Sequence, residues 1–212
     1  MSVQQKVIYF TGLVVAVILH EISHGVVALW FGDETAKKAG RLTLNPIPHL
    51  DPFGSVILPA FGALSGIPVI AWAKPVPVNP SRLHKPRRDM LYVSLAGPAT
   101  NLTLMLVAAI SARLLYENGP QVILYDQLPL GTRIVFTFAV VNLLLGLFNL
   151  LPIPPLDGSA VLERALPARW LPQWYKFRPY GMLVLLVLIF WTGAVSKVLD
   201  PVIDQLFNWV FR

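Results

Sequence analysis

Long apolar runs alternate with short basic segments along this chain. Four apolar runs meet the requirement of roughly 20 residues for a helix that crosses a bilayer, the third only just. They lie at about residues 7–31, 90–115, 134–151 and 180–198. The pattern predicts an all-α polytopic membrane protein with about four transmembrane helices. A last stretch, 201–212, has apolar residues at helical spacing and is expected to lie along the membrane surface.

A fifth apolar stretch, residues 52–73, is interrupted by prolines and glycines that bend or break helices. A single crossing would place the basic residues of 37–41 and 74–88 on opposite sides of the membrane, whereas entry and return on one side keeps both in the cytoplasm. We therefore predict a re-entrant or hairpin segment. Residues 71–79, where prolines alternate with apolar residues, are expected to form a short extended, β-like loop, with an ordinary proline-rich linker as the alternative.

The charges of the loops predict the orientation. Basic residues follow the first run, precede the second and separate the third from the fourth, whereas loop 116–132 carries only Glu117 and Asp126. Because cytoplasmic loops are enriched in Lys and Arg, the N-terminus is predicted to lie outside and the basic loops in the cytoplasm.

The composition fits this class of protein. Of 212 residues, 55% are hydrophobic and 13% charged, which is typical of a single membrane domain, 1–212, with residues 180–212 as a C-terminal span and interfacial tail. The net charge of +6 is explained by basic loops facing anionic lipid, so no nucleic-acid partner is expected. Without cysteine, any metal must be held by His, Asp or Glu.

The first run contains His20, Glu21, Ile22, Ser23 and His24 in sequence. Histidines four residues apart lie on one face of a helix, so both rings can hold one metal ion, while the glutamate can take a proton from water beside it. His-Glu-x-x-His is the signature of zinc proteases, although it also arises by chance and a histidine can be an ordinary core residue. Three ionisable groups at bilayer depth are costly unless paired or metal-bound, which favours the functional interpretation.

A catalytic zinc usually has three protein ligands and a water, so a third ligand is needed. The third run ends near Asn149 and is followed by Pro152, Pro154 and Pro155, which stop a helix, and then by Asp157. On local sequence alone, this is a surface turn with Asp157 as the N-cap of a following helix. However, His20 and His24 need a third ligand at membrane depth. This need favours Asp157 as a ligand of one zinc ion over its role as an N-cap.

Together these motifs resemble the site-2 proteases, the intramembrane zinc metalloproteases of peptidase family M50. His-Glu-x-x-His is followed far downstream by Asn-x-x-Pro-x-Pro-x-Leu-Asp-Gly at 149–158, and both motifs match without a gap. Ala-Gly-Pro-x-x-Asn at 96–101, Asn45-Pro46 and the segment 74–80 are similar to the short, one-domain bacterial branch, without PDZ-like or CBS-like regions.

The resemblance covers about residues 7–160, the expected catalytic core. It implies that His20, His24 and Asp157 bind one zinc ion and that Glu21 is the catalytic acid and base. It also implies an endopeptidase that cleaves transmembrane helices of membrane-protein substrates, in a bacterial plasma membrane and with its active site toward the cytoplasm. The sequence departs from the better-known members of the family in having no PDZ-like or CBS-like regulatory region.

Two asparagines are candidate catalytic donors to the oxyanion or to an extended substrate backbone, Asn149 at the end of the third run and Asn101 in the second. Hydrogen bonding between helices is the competing interpretation for both, and it is favoured for Asn101. His49 and Asp51 form a second polar pair between prolines, and a solvated loop pair is favoured there over a metal or gating site.

Two other function classes compete with an intramembrane peptidase. Polar ligands at membrane depth also mark ion paths, so a zinc carrier or transporter is one alternative, and a non-catalytic metal-binding membrane protein is the other. A carrier needs several successive sites and no general base, whereas a peptidase requires Glu21 for proton transfer. The complete set of two histidines, a glutamate and a distant aspartate favours the enzyme.

Overall fold

The structure is a computed structural model that describes residues 2–57, 73–120 and 124–212. Its α-helices are, in chain order, α1 (Val3–Trp30), α2 (Thr35–Lys38), α3 (Pro86–Glu117), α4 (Leu130–Asn149), α5 (Ser159–Ala165), α6 (Leu171–Phe177), α7 (Gly181–Val187) and α8 (Ala194–Phe211). The helices α1, α3 and α4 are long and apolar enough to cross a membrane. No strand occurs within the described residues, so the predicted all-α polytopic class is confirmed.

Polar residues at the helix ends extend the long helices beyond the apolar runs. Ser2 and Gln5 form a capping box in which each side chain bonds the other residue's backbone N–H, and α1 therefore begins ahead of the apolar run predicted from residue 7. Pro86 occupies the first turn of α3, where the missing N–H costs nothing. At its other end α1 stops before Gly32, whose φ of +99° is incompatible with a continuing helix.

The three long helices form an antiparallel bundle with α3 in contact with both α1 and α4. Contacts of His20 with Asn101 and of His24 with Val93 show that α1 and α3 run in opposite directions. Small side chains allow this close approach, as is usual between helices in membranes. The alanines that are at most 1% exposed at these interfaces are Ala16, Ala28, Ala109, Ala112 and Ala139.

The fourth predicted span, 180–198, is not one straight helix. The helix α7 passes into a π-helical turn, Leu188–Thr192, and Gly193 with φ +60° separates this turn from α8. The helices on either side of this break are bent by 70°, so the bundle has a fourth spanning element only if the bent pair is one span.

The apolar face expected for the C-terminal tail is used for packing within the protein. Val210 and Phe211 of α8 are each 2% exposed and lie in one core cluster with Phe136 of α4 and Ala112 of α3. Arg113 donates to the Trp209 backbone oxygen at 2.7 Å and lies over its indole ring. The tail therefore covers the end of the bundle opposite His20 and His24.

Connecting segments cover the end of the bundle where α1 ends and α3 begins. Residues 73–79 have no helical or strand structure, and Asn79 is extended. The re-entrant segment predicted over residues 52–73 falls largely on 58–72, outside the described residues; Pro52–Ile57 form a π-helical turn.

Candidate metal centre

Three side chains from two distant parts of the chain meet inside the bundle. His20 Nε2 lies 3.1 Å and His24 Nε2 lies 3.4 Å from Asp157 Oδ2. One potential ligand atom from each residue can be chosen so that all three lie within 4.8 Å of one another, and within the described ranges this is the one such group of His, Asp and Glu. The structure thus brings together the three residues that the sequence analysis selected as metal ligands.

The backbone after α4 explains how Asp157 reaches the histidines. Three prolines follow the helix and stop it, and the chain then turns back so that the Gly158 N–H donates to the Asn149 carbonyl oxygen at 2.6 Å. The Asp157 carboxylate does not cap the next helix, since α5 has Gly158 at its N-cap position and no side-chain capping bond. Its oxygen faces the two imidazoles instead.

Each imidazole is oriented by one hydrogen bond on its far side. His20 Nδ1 lies 2.5 Å from Asn101 Oδ1, and His24 Nδ1 lies 2.6 Å from the Val93 carbonyl oxygen. Both partners are acceptors, so each Nδ1 donates its hydrogen, and each Nε2 is the ring nitrogen that faces Asp157. Metal-ligating histidines use this arrangement, in which one ring nitrogen donates to the protein and the other faces the ion.

Asn101 is itself held by a buried partner. Its Nδ2 donates to Asn142 Oδ1 at 2.8 Å, and Asn142 Nδ2 donates to the Phe138 carbonyl oxygen at 2.9 Å. Both asparagines are 0% exposed, so the chain of bonds from α4 to His20 is sealed from solvent. The sequence carried a signal for Asn142 that was missed, since it is an amide in the middle of the largely apolar run 134–151.

Gly97 provides the space for the two rings. A Cβ atom built on this residue would lie 2.5 Å from His20 Nε2 and 2.5 Å from His24 Nε2. No alanine can occupy this position of α3 without displacing a ring. In the sequence, Gly97 is recognisable only as part of a motif, because its steric role depends on which helix faces it.

Glu21 lies beside the three candidate ligands and contacts a different element. Its Oε2 accepts a hydrogen bond of 2.7 Å from the Val76 backbone N–H. The non-helical segment that contains Val76 is fixed on both sides, since Arg41 Nη2 donates to the Lys74 carbonyl oxygen at 2.5 Å and the Asn79 N–H donates to Asp33 Oδ2 at 2.6 Å.

Asp33 is charged at neutral pH in this arrangement. Burial acts to raise the pKa of its carboxyl group, but hydrogen bonds from Thr35 and from the Asn79 N–H outweigh that effect and hold the pKa below its ordinary value. A charged acceptor therefore anchors residues 73–79 above the end of α1.

A cavity of about 340 Å³ connects these groups. Its lining contains the three candidate ligands and Glu21. The other lining residues come from 75–78, from α3, from the end of α4 and from the proline segment, and they are Pro75, Val76, Val78, Met90, Val93, Ser94, Asn149 and Pro155. Asn149 thus borders the cavity, with its Nδ2 donating to the Leu145 carbonyl oxygen at 2.9 Å. Asn101 lies behind His20, outside this lining.

The second polar pair lies apart from the metal cluster. His49 is 2% exposed, and its Nε2 bonds the Thr43 carbonyl oxygen at 2.9 Å. Asp51 Oδ1 accepts from the backbone N–H groups of Phe53 and Gly54, at 3.1 and 2.6 Å. Both residues thus organise the loop between α2 and the π-helical turn.

Comparisons with known proteins agree with this chemistry. The family model described as peptidase family M50 matches residues 118–191. The chain is 39% identical over 208 residues to "Putative zinc metalloprotease YwhC" of Bacillus subtilis, covering 94% of this chain and 90% of the relative. It is 35% identical over 183 residues to "Putative zinc metalloprotease Rip2" of Mycobacterium tuberculosis, covering 86% and 66% of the two chains. No solved structure matches it.

Proposed function

The chain belongs to peptidase family M50 and is a metalloprotease, and from that membership we propose a specific activity: zinc-dependent hydrolysis of peptide bonds within or near transmembrane helices of membrane-protein substrates. The observation that carries the proposal is the convergence of two imidazole nitrogens and one carboxylate on a cavity that also contains Glu21.

The donor set suits zinc. Two imidazole nitrogens and one carboxylate oxygen are a ligand set of known catalytic zinc sites, which keep a fourth position open. His20, His24 and Asp157 would hold the ion, and the carboxylate would offset part of its charge. When bound, zinc would supply a Lewis acid that polarises the scissile carbonyl and acidifies a water.

Glu21 is the proposed general base and acid. A carboxylate one residue after His20 borders the same cavity and is not one of the three ligands, so it is free to take a proton from the attacking water and to return it to the leaving amine. The Val76 N–H holds one of its oxygens, which fixes the direction of the other.

Two further groups are proposed to contact an unwound substrate. Asn149 borders the cavity and can donate to the oxyanion or to a substrate carbonyl after rotation away from Leu145. Pro98 has no N–H, so the Ser94 carbonyl oxygen receives no helical bond from residue 98 and can accept from substrate backbone. Asn101, expected from the sequence as a possible substrate donor, is proposed as a positioning residue because it bonds His20 from behind.

The chain is a multi-pass membrane protein, and we propose that its cavity opens toward the cytoplasm. The end of the bundle that contains the cavity also contains Lys74, Lys85, Arg87 and Arg88, and basic residues favour the cytoplasmic side. The substrates are proposed to be single-span membrane proteins, which reach this depth through the lipid bilayer.

The test is cleavage of co-expressed single-span proteins by wild type and by Glu21→Gln. The variant is expected to leave substrate uncut while keeping its zinc, because the glutamate serves proton transfer rather than metal binding. Glu34→Gln, at an exposed glutamate paired with Lys38, is the matched control and should cleave normally. Cleavage by Glu21→Gln at the wild-type rate would refute the proposed role, and a zinc carrier without peptidase activity would leave both proteins equally inactive.

A further inference from the structure

A second cavity lies outside the peptidase site, at the start of α3. Its volume is about 360 Å³, and it is lined by Lys85, Pro86, Arg87, Arg88 and Arg164. Apart from one proline, the lining consists of cationic side chains. None of them has a role in the proposed hydrolysis.

The positive charge of this cavity is largely uncompensated. Arg88 pairs with Asp89 at 2.7 Å, and the same aspartate accepts from the Lys85 backbone N–H at 2.6 Å. Among the described residues, Lys85, Arg87 and Arg164 have no carboxylate within ion-pair distance. Three cations that face one cavity repel each other, so an anion placed between them would be stabilised.

Two further features favour binding of an anion in this cavity. Arg87 Nη2 donates to the Leu166 carbonyl oxygen at 2.8 Å, which fixes the guanidinium between α3 and the segment after α5. The cavity also lies at the N-terminus of a helix of 32 residues, where the helix dipole adds partial positive charge. Guanidinium and ammonium groups in this arrangement match the oxygens of a phosphate.

The position along α3 indicates where the anion comes from. Lys85–Arg88 lie at the start of a helix that is long and apolar enough to span a membrane, and basic residues at such a helix end are placed to meet anionic lipid headgroups. We propose that this cavity is a binding site for a phosphate-bearing anion, supplied by the headgroup of an anionic phospholipid or by free phosphate.

Binding there would connect two elements that form the metal centre. Arg164 belongs to α5, which begins at Ser159, two residues after Asp157, whereas Lys85 and Arg88 belong to the start of α3. An anion between them holds α5 against α3 and adds to the contact of Arg87 with Leu166. This step concerns binding and stability, and it does not depend on peptidase activity.

The binding test uses the purified full-length protein in a neutral detergent. Short-chain phosphatidylglycerol, short-chain phosphatidylcholine and inorganic phosphate are titrated separately, and native mass spectrometry and the thermal unfolding midpoint are recorded. Phosphatidylglycerol is expected to bind and to raise the midpoint, whereas phosphatidylcholine at the same concentrations is not. An equal effect of inorganic phosphate would keep the site and assign its anion to the aqueous phase.

Charge-neutral variants locate the site. Lys85→Gln combined with Arg164→Gln should weaken phosphatidylglycerol binding at least about tenfold, because two charge-assisted contacts are removed. Arg169→Gln combined with Lys176→Gln removes the same charge from exposed positions outside the cavity and should bind as wild type. Arg164→Lys keeps the charge and should retain most of the affinity. Its binding shows whether a change of side chain at position 164, apart from the loss of charge, weakens the site. Binding by the Lys85 and Arg164 double variant equal to wild type, or equal binding of both lipids, would overturn the proposal.

Discussion

The two histidines and the two buried asparagines are each held by hydrogen bonds within the bundle, and each bond has a consequence for the metal centre. The proton on each histidine Nδ1 is fixed by an acceptor on α3, so the opposite nitrogen is free for a cation. The amides of Asn101 and Asn142 complete their own bonds within the protein. In an apolar surrounding, loss of one member therefore leaves the next one unpaired.

The first residue-scale prediction concerns Asn101. Asn101→Ala removes the acceptor of His20 Nδ1 and leaves Asn142 without its donor, and zinc affinity is expected to fall roughly 10- to 100-fold, as for other partners behind metal ligands. Zinc competition with a chelator measures this. Asn118→Ala, at an exposed amide whose Nδ2 donates to the Leu114 carbonyl oxygen far from the metal centre, should leave zinc affinity unchanged. Unaltered zinc affinity in Asn101→Ala would remove it from the metal centre.

A second residue-scale prediction concerns space rather than bonding. Gly97→Ala places a methyl group on two imidazole rings that cannot both remain in position, so the purified variant should contain little zinc. Gly131→Ala is the matched control, because a Cβ there meets nothing within 4 Å. Metal analysis of both proteins decides the point: normal zinc content in Gly97→Ala would show that the rings lie elsewhere.

Elements differ in how much of them the sequence predicts. The long helices follow from apolar runs and extend a few residues beyond them; Ser2 and Pro86 stabilise the added first turns of α1 and α3. The break at Gly193 was not predicted, since a left-handed glycine within an apolar run has no signature in hydropathy. The contact of Val76 with Glu21 was equally out of reach, because a backbone N–H carries no information about its partner.

Residues 73–79 support an element-scale prediction. Val76→Pro removes the N–H that holds Glu21, and the rate of cleavage is expected to fall roughly tenfold or more while zinc binding is kept, since a hydrogen bond to a charged group is lost. Cleavage rate and zinc content are measured together.

The same segment offers a close control. Val78 lies two residues further along, between Pro77 and Asn79. It borders the same cavity, and no hydrogen bond joins it to Glu21. Val78→Pro should therefore keep most of the activity. Equal losses in both variants would mean that the segment, rather than the single N–H, matters for Glu21.

At the scale of the whole molecule, the antiparallel bundle places all the chemistry at one end. His24 is followed by six residues of α1 and His20 by ten, so the two rings lie roughly 9 and 15 Å along the axis from the end of that helix. The start of α3 and the end of α4 meet there as well, which explains how ligands 133 residues apart in sequence, His24 and Asp157, come into contact. The sequence predicted this meeting from the need for a third ligand and from motif resemblance, because spacing along a chain alone does not determine which helix ends are neighbours.

The last prediction tests the orientation of that end of the bundle. The chain contains no cysteine, so single cysteines report without background labelling. Cysteines at Lys38 and Lys85, on either side of the apolar stretch 52–73, should both react with a membrane-impermeant maleimide only from the cytoplasmic side, because both groups of basic residues are retained there. A cysteine at Asn118, beyond the other end of α3, should react only from outside. Labelling of the Lys38 and Lys85 positions from opposite sides would require the intervening stretch to cross the membrane once, and would contradict the prediction that both basic segments lie at the cytoplasmic end of the bundle.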